Sequence, residues 1–196
     1  MATAAGTRPR GAGRAQLHEV ALRLFARDGV EGTSLQDIAD EMGVSKAALY
    51  YHYKTKDDLV VGVITPLVDQ LGEIIRDARQ HRGRQARVDT VITGLVRLVL
   101  DTDSWFTVFT ADPYVVRLLP ELTELRRSWE GLVEVVAAPD GDDFMVVALL
   151  LFVSGLPALL RKLPRDTMDD AQLHDHLVEC GRRLLQARRR AAAHAG

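Results

Sequence analysis

The chain has 196 residues, 47% of them apolar, enough for the buried core of one large domain or two modest ones. Its net charge of -2 carries no global signature of nucleic-acid binding, so any such role must rest on where individual cations sit. The single cysteine, Cys180, excludes an intrachain disulfide framework, and no secretory pattern opens the chain, which makes the cytoplasm the expected compartment.

Residues 1–13 hold almost no large apolar side chain and cannot offset chain entropy by burial, so they are expected to form a disordered arm. Leu17, Val20, Ala21, Leu24 and Phe25 then recur at the spacing of one apolar helix face, and Asp28-Gly29 stops that helix. Thr33-Ser34-Leu35-Gln36 has the form of a capping box and predicts a second helix reaching Met42. Gly43 suits the left-handed residue that ends a helix, and Ser45 can cap a third helix over about Lys46 to His52. Thr55-Lys56-Asp57-Asp58 is another cap, with two carboxylates in the first turn of a long fourth helix that reaches Gln80 and is expected to kink at Thr65-Pro66. After the break at Arg82-Gly83-Arg84, helical runs follow at about Ala86 to Leu100, Pro113 to Leu119, Leu122 to Ala138, Phe144 to Leu163 and Asp169 to Arg190. No segment alternates convincingly with period two, so the fold class is all-α. Phe144 to Leu160 is the most apolar stretch, but it falls short of the roughly 20 residues of a spanning helix, and no membrane partner is expected.

Two short helices joined by a glycine turn form a helix-turn-helix, whose second helix can enter a major groove. Ile38, Ala39, Val44 and Leu49 are spaced to pack this pair on the first helix, which leaves Lys46, Ala47, Ala48, Tyr50 and Tyr51 facing outward. Residues 1–60 carry eight Lys or Arg against eight Asp or Glu, so the cations must be sorted by face. Arg8, Arg10 and Arg14 precede the first helix; an arm bearing them either follows the DNA backbone or enters a minor groove, or has no role.

The stretch from Arg14 to Leu59 resembles the N-terminal domain of the TetR family of bacterial regulators. The resemblance rests on Gly32-Thr33-Ser34, Ile38-Ala39, Met42-Gly43-Val44-Ser45, Leu49-Tyr50, His52-Tyr53, Lys56 and Leu59, in order and at the right spacing. Tyr53 departs from the family's usual phenylalanine, which keeps a ring in the core and adds a hydroxyl in need of a partner. The resemblance implies that Thr33 and Ser34 meet phosphate through the start of the second helix, where free N–H groups attract anions. It further implies that Ser45, Lys46, Ala47 and Ala48 face base edges or nearby phosphates, while Tyr50, Tyr51, His52, Lys54 and Lys56 clamp the backbone. Composition alone would equally allow Thr33 and Ser45 as plain caps, the tyrosines as core and the lysines as solvated.

Residues 14–60 thus make a three-helix DNA-binding domain, and 61–196 a larger helical domain for effector binding and dimerisation. The partners implied are an inverted-repeat operator in double-stranded DNA, a second copy of the chain, and an unidentified small-molecule effector, with no metal or other cofactor. Val146, Leu149, Leu150, Val153 and Leu156, with Leu173, Leu177, Leu184 and Leu185, supply apolar seams for a four-helix dimer interface, unless they face their own core. Trp105, Phe106, Phe109, Tyr114 and Trp129, with Thr107, Thr110, Asp112 and Arg117 as polar neighbours, either line an effector pocket or form core. His174 and His176, two apart on a helix, diverge too far to share one metal ion, and Cys180 lacks a recognisable catalytic partner, so no enzyme is expected.

Overall fold

The computed structural model describes residues 10–101, 112–118, 121–137, 143–163 and 168–186. Among these residues there are nine α-helices and no strands: α1 (Arg10–Gly32), α2 (Leu35–Met42), α3 (Lys46–His52), α4 (Lys56–Gln80), α5 (Arg84–Asp101), α6 (Pro113–Leu118), α7 (Thr123–Ala137), α8 (Asp143–Lys162) and α9 (Asp170–Leu185). The chain divides into two compact units. The first takes α1, α2, α3, α4 as far as Pro66, and α6; the second takes α4 from Leu67, α5, α7, α8 and α9. The expected boundary at 60/61 therefore falls inside α4, and α6 groups with the N-terminal helices rather than with the second domain.

In the first unit, α1 begins earlier than its apolar face, because extending an existing helix costs far less than starting one. Arg10 to Gly13 belong to it, which shortens the arm expected over 1–13; residues 1–9 lie outside the described ones. The expected stop at Asp28-Gly29 appears as a sharp turn, with Gly29 at φ 77° and ψ 160°. Leu17, Val20, Leu24 and Phe25 of α1, Ile38 and Ala39 of α2, Leu49 of α3 and Leu59, Val60 and Val63 of α4 form the core. Val44, expected in this set, is 38% exposed. It sits in the turn between α2 and α3, where its N–H reaches back to the Ala39 carbonyl and its side chain is left outside.

The caps hold the turns. Ser34, not Thr33, caps α2: its Oγ accepts the Asp37 N–H and the Asp37 carboxylate accepts the Ser34 N–H. That reciprocal pair also holds the Asp37 carboxyl below its ordinary range. Gly43, at φ 65°, closes α2 in the left-handed conformation that a side chain disfavours. Ser45 Oγ then caps α3 through the Ala48 N–H, and Thr55 and Asp58 form the reciprocal box at the start of α4. α4 continues as one helix through Pro66.

In the second unit, α5 is the central element. Its buried Val88, Val91, Ile92, Leu95, Val96, Leu98 and Val99 meet α7, α8 and, most extensively, α9. Arg182 of α9 makes a two-pronged ion pair with Asp89 of α5, at 2.6 and 3.1 Å, and draws that carboxyl well below its usual range. α8 is long and apolar enough to cross a membrane by length and composition alone, a test that core helices also pass.

Candidate nucleic-acid interface

α3 is pinned to its unit by one side chain. Leu49 is 1% exposed and is the helix's sole buried residue, so the remaining positions are free to meet another surface. Lys46, Ala47, Ala48, Tyr50, Tyr51 and His52 are all exposed. Tyr51 is 86% exposed and Tyr50 41%, which settles the open choice between core and surface for both rings. The Lys46 ammonium lies over the Tyr50 ring at 5.6 Å, and Tyr51 stands edge-on to the His52 ring at 5.4 Å. The two alanines keep the first turn of α3 slim, so its backbone can approach a groove closely. A hollow of about 330 Å³ joins this helix to the N-terminus of α2, lined by Ser34, Leu35, Gln36, Lys46, Tyr50, Lys54, Thr55 and Lys56.

The balanced charge of the N-terminal region separates by face. Arg23 is paired with Glu41 at 2.6 Å, and Arg27 with Asp28 at 2.8 Å. Arg14, Lys46 and Lys54 have no carboxylate partner among the described residues. Uncompensated positive charge therefore gathers along α3 and its flanks, and the carboxylates neutralise the arginines elsewhere on α1. Exposed ion pairs contribute little stability, so this sorting matters more for the field at the surface than for the fold.

Two expected DNA-contacting side chains are committed elsewhere. Thr33 is 2% exposed and its hydroxyl donates to the Gly29 carbonyl at 2.8 Å, so its side chain is withdrawn from the surface. Lys56 Nζ donates to the carbonyls of Val30, Glu31 and Thr33 at 3.0, 3.1 and 3.1 Å. An ammonium has three donors, and all three are used in closing the end of α1. Lys56 is thus a brace inside the unit rather than a free phosphate clamp. Ser34 is exposed, and with Ser34 and Asp37 capping each other, the Leu35 and Gln36 N–H groups remain at the helix start.

α6 adds to this unit in a way the residue spacing did not signal. Asp112 Oδ2 accepts the Val30 N–H at 2.7 Å, while its Oδ1 caps Tyr114 at 2.8 Å. The Tyr114 hydroxyl donates to Asp57, which pushes its pKa up to about 12, and its ring is flanked by Lys56 at 5.2 Å and Arg117 at 4.9 Å. Of the expected effector residues, Tyr114 falls in the first unit and Trp129, half-buried on α7, in the second. Trp105, Phe106, Phe109, Thr107 and Thr110 lie outside the described residues. Within the second unit, a cavity of about 370 Å³ opens between α5, α8 and α9, with Arg97, Asp101, Asp170 and His174 among its lining residues.

The expected dimer seams divide by burial. Leu149, Leu156, Leu177 and Leu185 are at most 5% exposed and face their own core. Val146, Val153, Leu173 and Leu184 are half-buried, and Leu150 is 45% exposed. The outward apolar face of α8 is instead built from Phe144, Val147, Leu150, Leu151 and Leu159, with the small Ser154 and Gly155 between them. Among the described residues no group of three or more potential metal ligands occurs, and Cys180 is exposed.

Residues 17–63 match the family model described as bacterial regulatory proteins, tetR family. The chain is 41% identical over 61 residues to the HTH-type transcriptional regulator AcrR of Shigella flexneri, covering 31% of this chain and 28% of that one. It is 26% identical over 132 residues to the HTH-type transcriptional repressor KstR2 of Rhodococcus jostii, covering 62% and 63% of the two chains. The chain thus spans less than two thirds of these curated relatives. A solved TetR/AcrR-family transcriptional regulator from Thermobifida fusca superposes with a TM-score of 0.58 at 26% identity, over 91% of this chain and all of that one. An exposed α3 capped by Ser45, a family model over residues 17–63 and a solved TetR/AcrR-family regulator matching along nearly the full length agree: the helix-turn-helix unit is a domain of the tetR family of bacterial regulatory proteins, and the chain as a whole is similar in fold to a member of that family.

Proposed function

We propose that the chain is a cytoplasmic, ligand-responsive transcriptional regulator, a repressor that binds an inverted-repeat operator as a homodimer and is released by a small molecule. The observation that carries this reading is α3: one buried leucine fixes it, and its whole outward face holds a lysine, two alanines, two tyrosines and a histidine with no acidic side chain. Base contacts then fall to the first turn, Ser45 to Ala48, and backbone contacts to Tyr50, Tyr51, His52 and Lys54. A single seven-residue helix reads too few base pairs for useful specificity, which favours a symmetric pair of heads. The outward face of α8 supports that pairing, and the name of the Rhodococcus jostii relative supports repression. The cavity of about 370 Å³ is within the size of small-molecule sites and supports an effector. An effector works only through unequal affinity for the DNA-bound and free states.

The test is selection of bound duplexes from a random pool by the full chain. The expected product is an inverted repeat, with Lys46→Ala weakening binding by about 1–3 kcal/mol if Lys46 reads a base edge. Recovery of no symmetric site, together with indifference to Lys46→Ala, would overturn the reading.

A further inference from the structure

Tyr53 directly follows α3 and carries a hydroxyl into an otherwise apolar place. The residue is 5% exposed, and that hydroxyl is met by two groups of α1: His18 Nε2 at 2.5 Å and Arg14 Nε at 3.0 Å. Arginine only donates, so the Tyr53 oxygen accepts from Arg14. With the His18 imidazole neutral and its proton on Nδ1, the tyrosine proton goes to His18 Nε2. Burial, and then the positive charge of Arg14, hold the His18 imidazole below its usual value, which agrees with that state. α4 contributes by absence: a Cβ at Gly62 would overlap the Tyr53 hydroxyl, so the room for it exists because residue 62 has no side chain.

The cluster acts on Arg14. Its guanidinium lies 5.7 Å from the Tyr53 ring centroid and spends only Nε on the hydroxyl, leaving the two terminal nitrogens without a partner among the described residues. Arg14 is exposed, has no carboxylate counterpart among the described residues, and is held against the residue that follows His52. Its partner Tyr53 is the residue that closes α3 at its C-terminal end, one position before Lys54. We infer that Arg14 is a DNA-phosphate contact and that Tyr53 is the residue that positions it. The inference rests on the DNA-binding reading given above and adds to it a contact and the device that orients it. A long, free arginine would lose side-chain entropy on meeting a phosphate; one already anchored at Nε and on a ring loses less.

Phosphate contacts are independent of sequence, so the probe is a fluorescein-labelled mixed-sequence duplex, titrated by anisotropy with the full chain at several salt concentrations. Arg14→Ala is expected to weaken binding and to lower the magnitude of the salt slope by about 1 per bound head. Tyr53→Phe, which keeps the ring, is expected to weaken binding and lower the slope in the same direction, but to add nothing in the Arg14→Ala background. A merely structural role for Tyr53 would persist in that background, and such persistence overturns the positioning. If Lys54→Ala lowers the slope while Arg14→Ala leaves affinity and slope unchanged, the inference falls and the regulator reading stands. If the wild-type chain does not hold the duplex at low salt, the regulator reading falls and takes the inference with it.

Discussion

His18, Lys56 and Thr33 show how much of the reading head depends on side chains turned inward. His18 is neutral in the fold because burial and Arg14 both oppose its charge. Its folded pKa lies below the ordinary value, so its stabilising contribution is complete above pH 6.5. As pH falls through that value the unfolded chain takes up the proton first, and stability drops until the folded value is passed. A proton NMR titration of the His18 ring should give a midpoint under 6.5, and Arg14→Ala should raise it; a midpoint indifferent to Arg14 would contradict the geometry. The family resemblance assigns Lys56 and Thr33 to DNA contact, whereas residue type alone leaves the one solvated and the other a plain cap. Their partners, the carbonyls of residues 30, 31 and 33 and of Gly29, come close only after the chain has turned at Gly29. Spacing along a sequence cannot reveal that turn's direction. Ser34 and Thr33 illustrate a second ambiguity, since both open an acceptable capping box. The fold uses Ser34 with Asp37 because the Thr33 hydroxyl is already engaged.

Among the elements, α2, the turn and α3 were legible almost to the residue, because caps and a left-handed glycine are local signals that tertiary structure seldom overrides. Gly43 has open space around its missing side chain, so Gly43→Ala tests conformation without a clash. The expected cost is about 1–2 kcal/mol for placing a Cβ in the left-handed region. Urea denaturation should show the midpoint falling accordingly; an unchanged midpoint would mean that the turn relaxes into another geometry. α8 was harder to read. Its apolar residues surround the helix, so periodicity marks no preferred side. Leu149 and Leu156 turned out to face the core, while Phe144, Val147 and Leu151, which were not singled out, point outward. α6 was legible as a helix, but its attachment through Asp112 and Tyr114 to the N-terminal unit joins residues more than fifty positions apart and has no local trace.

For the molecule as a whole, the prediction concerns the outward side of α8. Val147 and Leu151 are 54% and 61% exposed, and Ser154 and Gly155 beside them allow close approach of another helix. If this face pairs with a second copy, Leu151→Glu places an unpaired carboxylate at the seam, a change that disfavours association strongly. Sedimentation should show the wild type as a dimer and the variant as a monomer with unchanged helicity. A dimer that survives Leu151→Glu intact would move the interface elsewhere.

The shortage of free cations on the head has a kinetic consequence. With Lys56 spent on backbone carbonyls and Arg23 and Arg27 on carboxylates, the described residues of the N-terminal unit leave Arg14, Lys46 and Lys54 free for a polyanion. If the chain is the regulator proposed above, release of condensed counterions scales with that number, so its grip on arbitrary sequence is expected to be weak and its salt dependence shallow. Such a regulator would spend little time parked at wrong addresses, and a small number of copies would keep the right one occupied.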